Sequence, residues 1–110
     1  MEHLTNDSVS KINSSTLILE NFRPNVQVLN IRKVVSNDNE TEIRFQISDG
    51  IHKMNATLSN KMFDLIHKGV FIENAIINVQ DYECLSSHDG QNCYIKNCVI
   101  RFHANGQQLI

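Results

Sequence analysis

The chain has 110 residues, 41% of them hydrophobic and 20% charged, with a formal net charge of −2. That suffices for one globular domain without a metal or disulfide staple, and no apolar run approaches the roughly 18–20 residues of a membrane span. The slight acidic excess counts against a protein that tracks a nucleic-acid backbone with its whole surface.

The polar N-terminus, MEHLTNDSVS, lacks the layout of a secretion signal, so a soluble chain is expected, with residues 1–110 as one domain. Thr5 or Asn6 can cap a short helix that carries Ser8, Val9 and Ile12. Leu4, Val9 and Ile12 share a face that must dock on something, because so short a helix is unstable alone. An apolar patch at 17–22, LILENF, leads to Pro24, where an extended element begins. Residues 26–35, VQVLNIRKVV, predict a long strand. Val26, Val28, Asn30, Arg32 and Val34 would share one face, with Gln27, Leu29, Ile31, Lys33 and Val35 on the other. Neither face is cleanly polar, so this strand needs a strong twist or a bulge.

A turn at 36–40 leads to TEIRFQIS (41–48), where Ile43, Phe45 and Ile47 alternate with Glu42, Arg44 and Gln46. Asp49-Gly50 signals a hairpin, and 51–58 form the return strand. Met54, Ala56 and Leu58 alternate onto a core face there. Ser59-Asn60 caps a helix, KMFDLIHK, with Gly69 at its C-terminal stop. A break at Glu73-Asn74 precedes a fourth strand, 75–85. A second Asp-Gly turn, Asp89-Gly90, precedes a fifth at 93–102, and HANGQQLI forms a tail or the start of a linker. Asn, with 14 copies, and Ile, with 13, supply the turns and strands of such a chain. The order predicts an all-β, five-stranded OB-fold barrel over about 4–102, with a short N-terminal helix and a helix between strands three and four.

Chemistry-bearing motifs are sparse. There is no G-x-S-x-G, P-loop or G-x-G-x-x-G, so neither an enzyme nor a cofactor is expected. Cys84, Cys93 and Cys98 have no C-x-x-C spacing and are expected as small apolar fillers. A zinc site borrowing His88 or His103 lacks closely spaced ligand pairs, so no metal is expected. His52 and His67 fit exposed positions, and Asp49 and Asp89 fit turn roles. Stacking platforms for single strands need exposed rings; Tyr82 and Tyr94 are the plausible ones, and Phe45 belongs to the core. Arg32 and Arg44 remain, on non-core faces of neighbouring strands. They suit a solvated face, or a groove where guanidinium groups meet a partner's carboxylates, lined by Val28 and Val34.

The runs VQVLNIRKV and FQISDGIHKMNATLSNK, followed by the H-D-G turn and last strand, resemble the N-terminal OB domain of the replication protein A large subunit. The pairing of Q-V-x-N-x-R with S-D-G, in that order, carries the resemblance, which covers about residues 4–102. It implies a recruitment module of a nuclear single-stranded-DNA-binding complex acting in DNA replication, repair and recombination. A basic groove in such a domain docks acidic amphipathic helices of partner proteins and binds single strands weakly or not at all. The rest of such a polypeptide joins the other subunits of a heterotrimer, and no membrane is involved. A telomerase-associated paralogue serving telomere maintenance, or a weak direct single-strand binder, is the alternative. By the same resemblance, Arg32 and Arg44 are groove residues, and Ala56, Leu58 and Ile95 are apolar groove positions. A bulge near Asn55 would reconcile Ala56 and Leu58 with their core alternation. The chain departs from the family at Glu42, His88, Gln91 and Asn92, where further basic residues are usual. The expected groove is therefore depleted of positive charge.

Overall fold

The computed structural model describes residues 4–5, 8–14, 22–35, 37–87 and 90–102. Asn6, most of the 17–22 patch, His88 and Asp89 of the last turn, and the tail lie outside the described residues. Helix α1 spans Ser8–Ser14. Strands β1 (Asn25–Val35), β2 (Thr41–Ser48), β3 (Lys53–Leu58), β4 (Ile76–Ser87) and β5 (Gly90–Phe102) close into a barrel in the order β1-β2-β3-β5-β4. Every pair is antiparallel except β3 with β5. This is the expected all-β OB architecture, and no described helix is long and apolar enough to cross a membrane.

Strand β2 is the simplest case. Ile43, Phe45 and Ile47 are buried, and Arg44 between them is exposed. The buried set meets Val28 and Met54, Ala56 and Leu58 across its two neighbours. Phe45 packs edge-on against Phe71, with ring centroids 5.0 Å apart. Leu4, Val9 and Ile12 are buried as their shared face required, and α1 lies against β3 and β5. Residues 60–68 divide into a 3-10 turn, Asn60–Met62, and a short helix α2, Phe63–His67, in place of one continuous helix. Ser59 caps this segment, its Oγ accepting the Lys61 N–H at 3.3 Å. Gly69 ends it at φ 72°, a left-handed conformation that glycine adopts without a Cβ clash.

The 49–50 turn is held from several sides. Asp49 Oδ1 accepts the N–H groups of Ile51 at 2.9 Å and His52 at 2.7 Å. Its Oδ2 accepts the Val9 N–H at 3.2 Å, which ties the hairpin to the start of α1.

Of the strong twist or bulge that its unpatterned faces called for, strand β1 carries the bulge. Its register against β2 shifts between Leu29 and Arg32, and Asn30 sits at φ 56°. Before the shift, Val26 to Leu29 are all buried, and Gln27 Nε2 donates to the Asn74 carbonyl at 3.1 Å. After it, Arg32 and Lys33 are exposed. Strands β4 and β5 shift register as well, between Val79 and Tyr82. Ile77 and Val79 point inward; beyond the shift, so do Tyr82 and Cys84. Tyr82, expected as an exposed ring, is therefore a core residue, only 2% exposed. The irregularity reverses the alternation that would have turned it outward.

Candidate functional site

Arg32 is placed by the bulge. Val28 faces Ile47 and Arg32 faces Arg44, so β1 spends one residue more than β2 over this interval. An unbroken ladder would set Arg32 opposite Ile43, which is buried in the core. The extra residue moves it to the outer face. Glu73 holds the bulge in shape: its carboxylate accepts the Asn30 N–H at 2.6 Å and the Ile31 N–H at 3.1 Å. Asn30 also donates its side-chain amide to Gln46 Oε1 at 2.6 Å.

With that register set, the ladders align side chains across the barrel. One row runs Arg32, Arg44, Thr57, Tyr94 over β1, β2, β3 and β5. A second runs Gln46, Asn55, Asn92, Leu85 over β2, β3, β5 and β4. These rows underlie a groove of about 640 Å³, lined by Arg32, Glu42 and Arg44 at one side and by Asn55, Thr57, Asn92, Tyr94 and Gln91 across the middle. Leu85 and Ser86 border it on β4, and Phe45 and Ala56, opposite one another on β2 and β3, form its floor. Asn92 donates to Thr57 Oγ1 at 3.0 Å, and Gln91 to Ser86 Oγ at 3.3 Å, so the neutral part is cross-linked by its own amides.

The two arginines differ. Arg44 donates through Nε at 3.0 Å and an Nη at 2.9 Å to the same oxygen of Glu42. Both side chains are about half exposed, so the pair itself stabilises the fold by no more than about 1 kcal/mol. Its larger consequence is that the Arg44 charge is already matched. Arg32 has no carboxylate partner among the described residues. The lining holds two cations and one anion, a formal charge of +1.

Of the residues expected at a groove, Arg32, Arg44, Ala56 and Gln91 line this one. Val34 is half-buried opposite Glu42, beside the cavity and not in its wall. Leu58 and Ile95 are 1% and 0% exposed and belong to the core, as does Val28. The β2–β3 register is continuous, so no bulge near Asn55 turns Leu58 outward, and simple alternation prevails on β3. His88 lies outside the described residues. Asn55, Thr57, Leu85 and Ser86 also line the groove without being singled out by a sequence motif. The signal for the first two was available, since they alternate with Met54, Ala56 and Leu58; Leu85 depends on the β4–β5 register.

The remaining reactive groups lie elsewhere. Cys93 and Cys98 are buried and Cys84 half-buried, all three as free thiols. Burial pushes all three thiols up, Cys98 to about 12. Among the described residues, no group of three or more His, Cys, Asp or Glu side chains comes together to hold a metal. A comparison with curated proteins finds no match. The model of the family described as "Replication factor-A protein 1, N-terminal domain" matches residues 4–101, and the chain, with its S-D-G hairpin and its Q-V-x-N-x-R bulge strand, belongs to that family.

Proposed function

We propose that this barrel is a protein-recruitment domain of a replication protein A large subunit, with no catalytic activity, and that its groove docks helical segments carrying carboxylates. The observation that supports this most is Arg32, an exposed guanidinium set beside a 640 Å³ groove with no carboxylate partner among the described residues. A carboxylate delivered by a partner helix would gain a charge-assisted hydrogen bond there. An apolar residue of the same helix would bury Leu85, 42% exposed, against the far wall. The partners are replication or DNA-damage-response proteins in the nucleus, and the rest of the polypeptide contacts the other subunits of the complex.

Single-stranded DNA is the poorer candidate for this groove. Stacking needs several exposed rings along a basic track, and among the described residues Tyr94 is the one aromatic on the open wall. The low charge of the groove favours the alternative, a telomerase-associated paralogue whose N-terminal domain serves a different protein partner or only assembly. Titration of the isotope-labelled domain with an acidic amphipathic peptide, followed by NMR, tests the proposal. Shifts should concentrate on Arg32, Thr57, Asn92 and Leu85, and a single-stranded oligonucleotide should leave them unmoved. Oligonucleotide binding at these residues, with none by the peptide, would overturn it.

A further inference from the structure

The groove is graded in chemistry from one side to the other. Its β1–β2 side carries Arg32, Glu42 and Arg44. Its middle carries amides and hydroxyls: Asn55, Thr57, Asn92 and Gln91. Its β4 side presents Leu85. Only the first of these regions holds charge, and half of its positive charge is engaged by Glu42 through two hydrogen bonds to one carboxylate oxygen.

We infer that Glu42 is the specificity-determining residue of the groove, and that the segment it accepts carries a single acidic side chain facing Arg32, uncharged polar side chains over the amide region and an apolar anchor at Leu85. The inference rests on the groove being a docking site for helical segments. A partner's first carboxylate can meet the Arg32 guanidinium, which has no carboxylate partner among the described residues. A second, placed over Arg44, must displace the Glu42 carboxylate or lie against it. Displacement exchanges one ion pair for another and leaves Glu42 as an unmatched negative charge in the same groove, so it brings little gain. Further carboxylates along the segment meet Asn55, Asn92 and Gln91, which offer neutral donors without net positive charge. An uncharged polar residue satisfies the same donors and acceptors without losing the hydration of an ion. The groove thus discriminates against highly acidic segments by composition and not by shape.

Fluorescence anisotropy with three labelled amphipathic peptides of equal length and apolar face, bearing none, one or four acidic residues, tests this on the wild-type domain and Glu42→Gln, both checked for unchanged thermal unfolding. The wild type should bind the one-acid peptide at least fivefold more tightly than the neutral one, and the four-acid peptide no more than about threefold more tightly than the one-acid peptide. Glu42→Gln should strengthen the four-acid peptide at least fivefold and the one-acid peptide less than twofold. A wild type that binds the four-acid peptide tenfold or more tightly than the one-acid peptide, or a Glu42→Gln variant that improves neither, overturns the inference while leaving the docking role standing. Failure of every peptide with both proteins overturns the docking role and the inference together.

Discussion

Asp49 does more than make a turn. Its carboxylate joins the β2–β3 hairpin to α1 through the Val9 N–H, a contact across 40 residues of sequence. Burial raises its pKa, but the backbone N–H groups of His52, Ile51 and Val9, together with the nearby His52 imidazole, outweigh burial and hold it below the usual carboxylate range. Because the folded carboxyl is the stronger acid, its contribution to stability is complete above the unfolded pKa, about 3.9, and is lost as pH falls through the lower folded value. Asp49→Asn should therefore cost about 1–3 kcal/mol near neutral pH. Urea unfolding at several pH values checks this: the gap between wild type and variant should narrow below about pH 4, and a pH-independent gap would remove the charge from the explanation. The cysteines give a second residue-scale prediction. At pH 8 a thiol whose pKa is about 12 is ionised in only about one molecule in ten thousand, so Cys98 should resist iodoacetamide until the protein unfolds. Cys93, buried beside Cys84, should behave alike, and half-buried Cys84 should label first, as mass spectrometry of partly labelled protein would show. The Asp-Gly turn and the filler role of the cysteines were legible in the sequence, because both depend on local chemistry. The tie from Asp49 to Val9 was not, because it joins two elements whose contact only the closed barrel creates.

At the scale of elements, β1 decides the site. The sequence 26–35, having no polar face, called for a strong twist or a bulge, and the Q-V-x-N-x-R run supplies the parts of the bulge: Gln27 buried, Asn30 left-handed, Arg32 outside. The position of the extra residue was not legible, since it exists only relative to the partner strand. The same limit explains Tyr82, whose inward turn depends on the irregular pairing of β4 with β5. Alternation succeeded on β2 and β3, where the register is unbroken, and there it outranked the family expectation for Leu58. Glu73 is the residue through which β1 can be tested without touching the groove. Glu73→Ala leaves the Asn30 and Ile31 N–H groups to water, at a cost of about 1 kcal/mol for exposed hydrogen bonds to a charged acceptor. It should also lower the affinity for a one-acid peptide several-fold, through the loosened placement of Arg32. Chemical denaturation and anisotropy together check both effects, and a variant with lost stability and full affinity would separate the bulge from the site.

For the molecule as a whole, element order and strand alternation sufficed to anticipate a five-stranded barrel, because β2 and β3 each have one face that must be buried and Asp-Gly turns mark two hairpins. Net charge was a poorer guide. The chain carries −2 overall while the groove lining carries +1, so the quantity that matters to a partner is local. Long-range attraction of an acidic segment is correspondingly small, and peptide affinity should fall by less than about tenfold between 50 and 200 mM salt. A steep salt dependence would point to basic surface beyond this groove. In the proposed site Arg32, which has no carboxylate partner among the described residues, meets the partner's acid while Arg44 is held by Glu42, and comparing Arg32→Gln with Arg44→Gln in binding a one-acid amphipathic peptide tests this. Loss of one charge-assisted contact corresponds to on the order of 1–3 kcal/mol. A loss of affinity of at least fivefold is expected for Arg32→Gln and of less than threefold for Arg44→Gln. Equal losses, or a larger one at Arg44, would overturn this division between the two arginines.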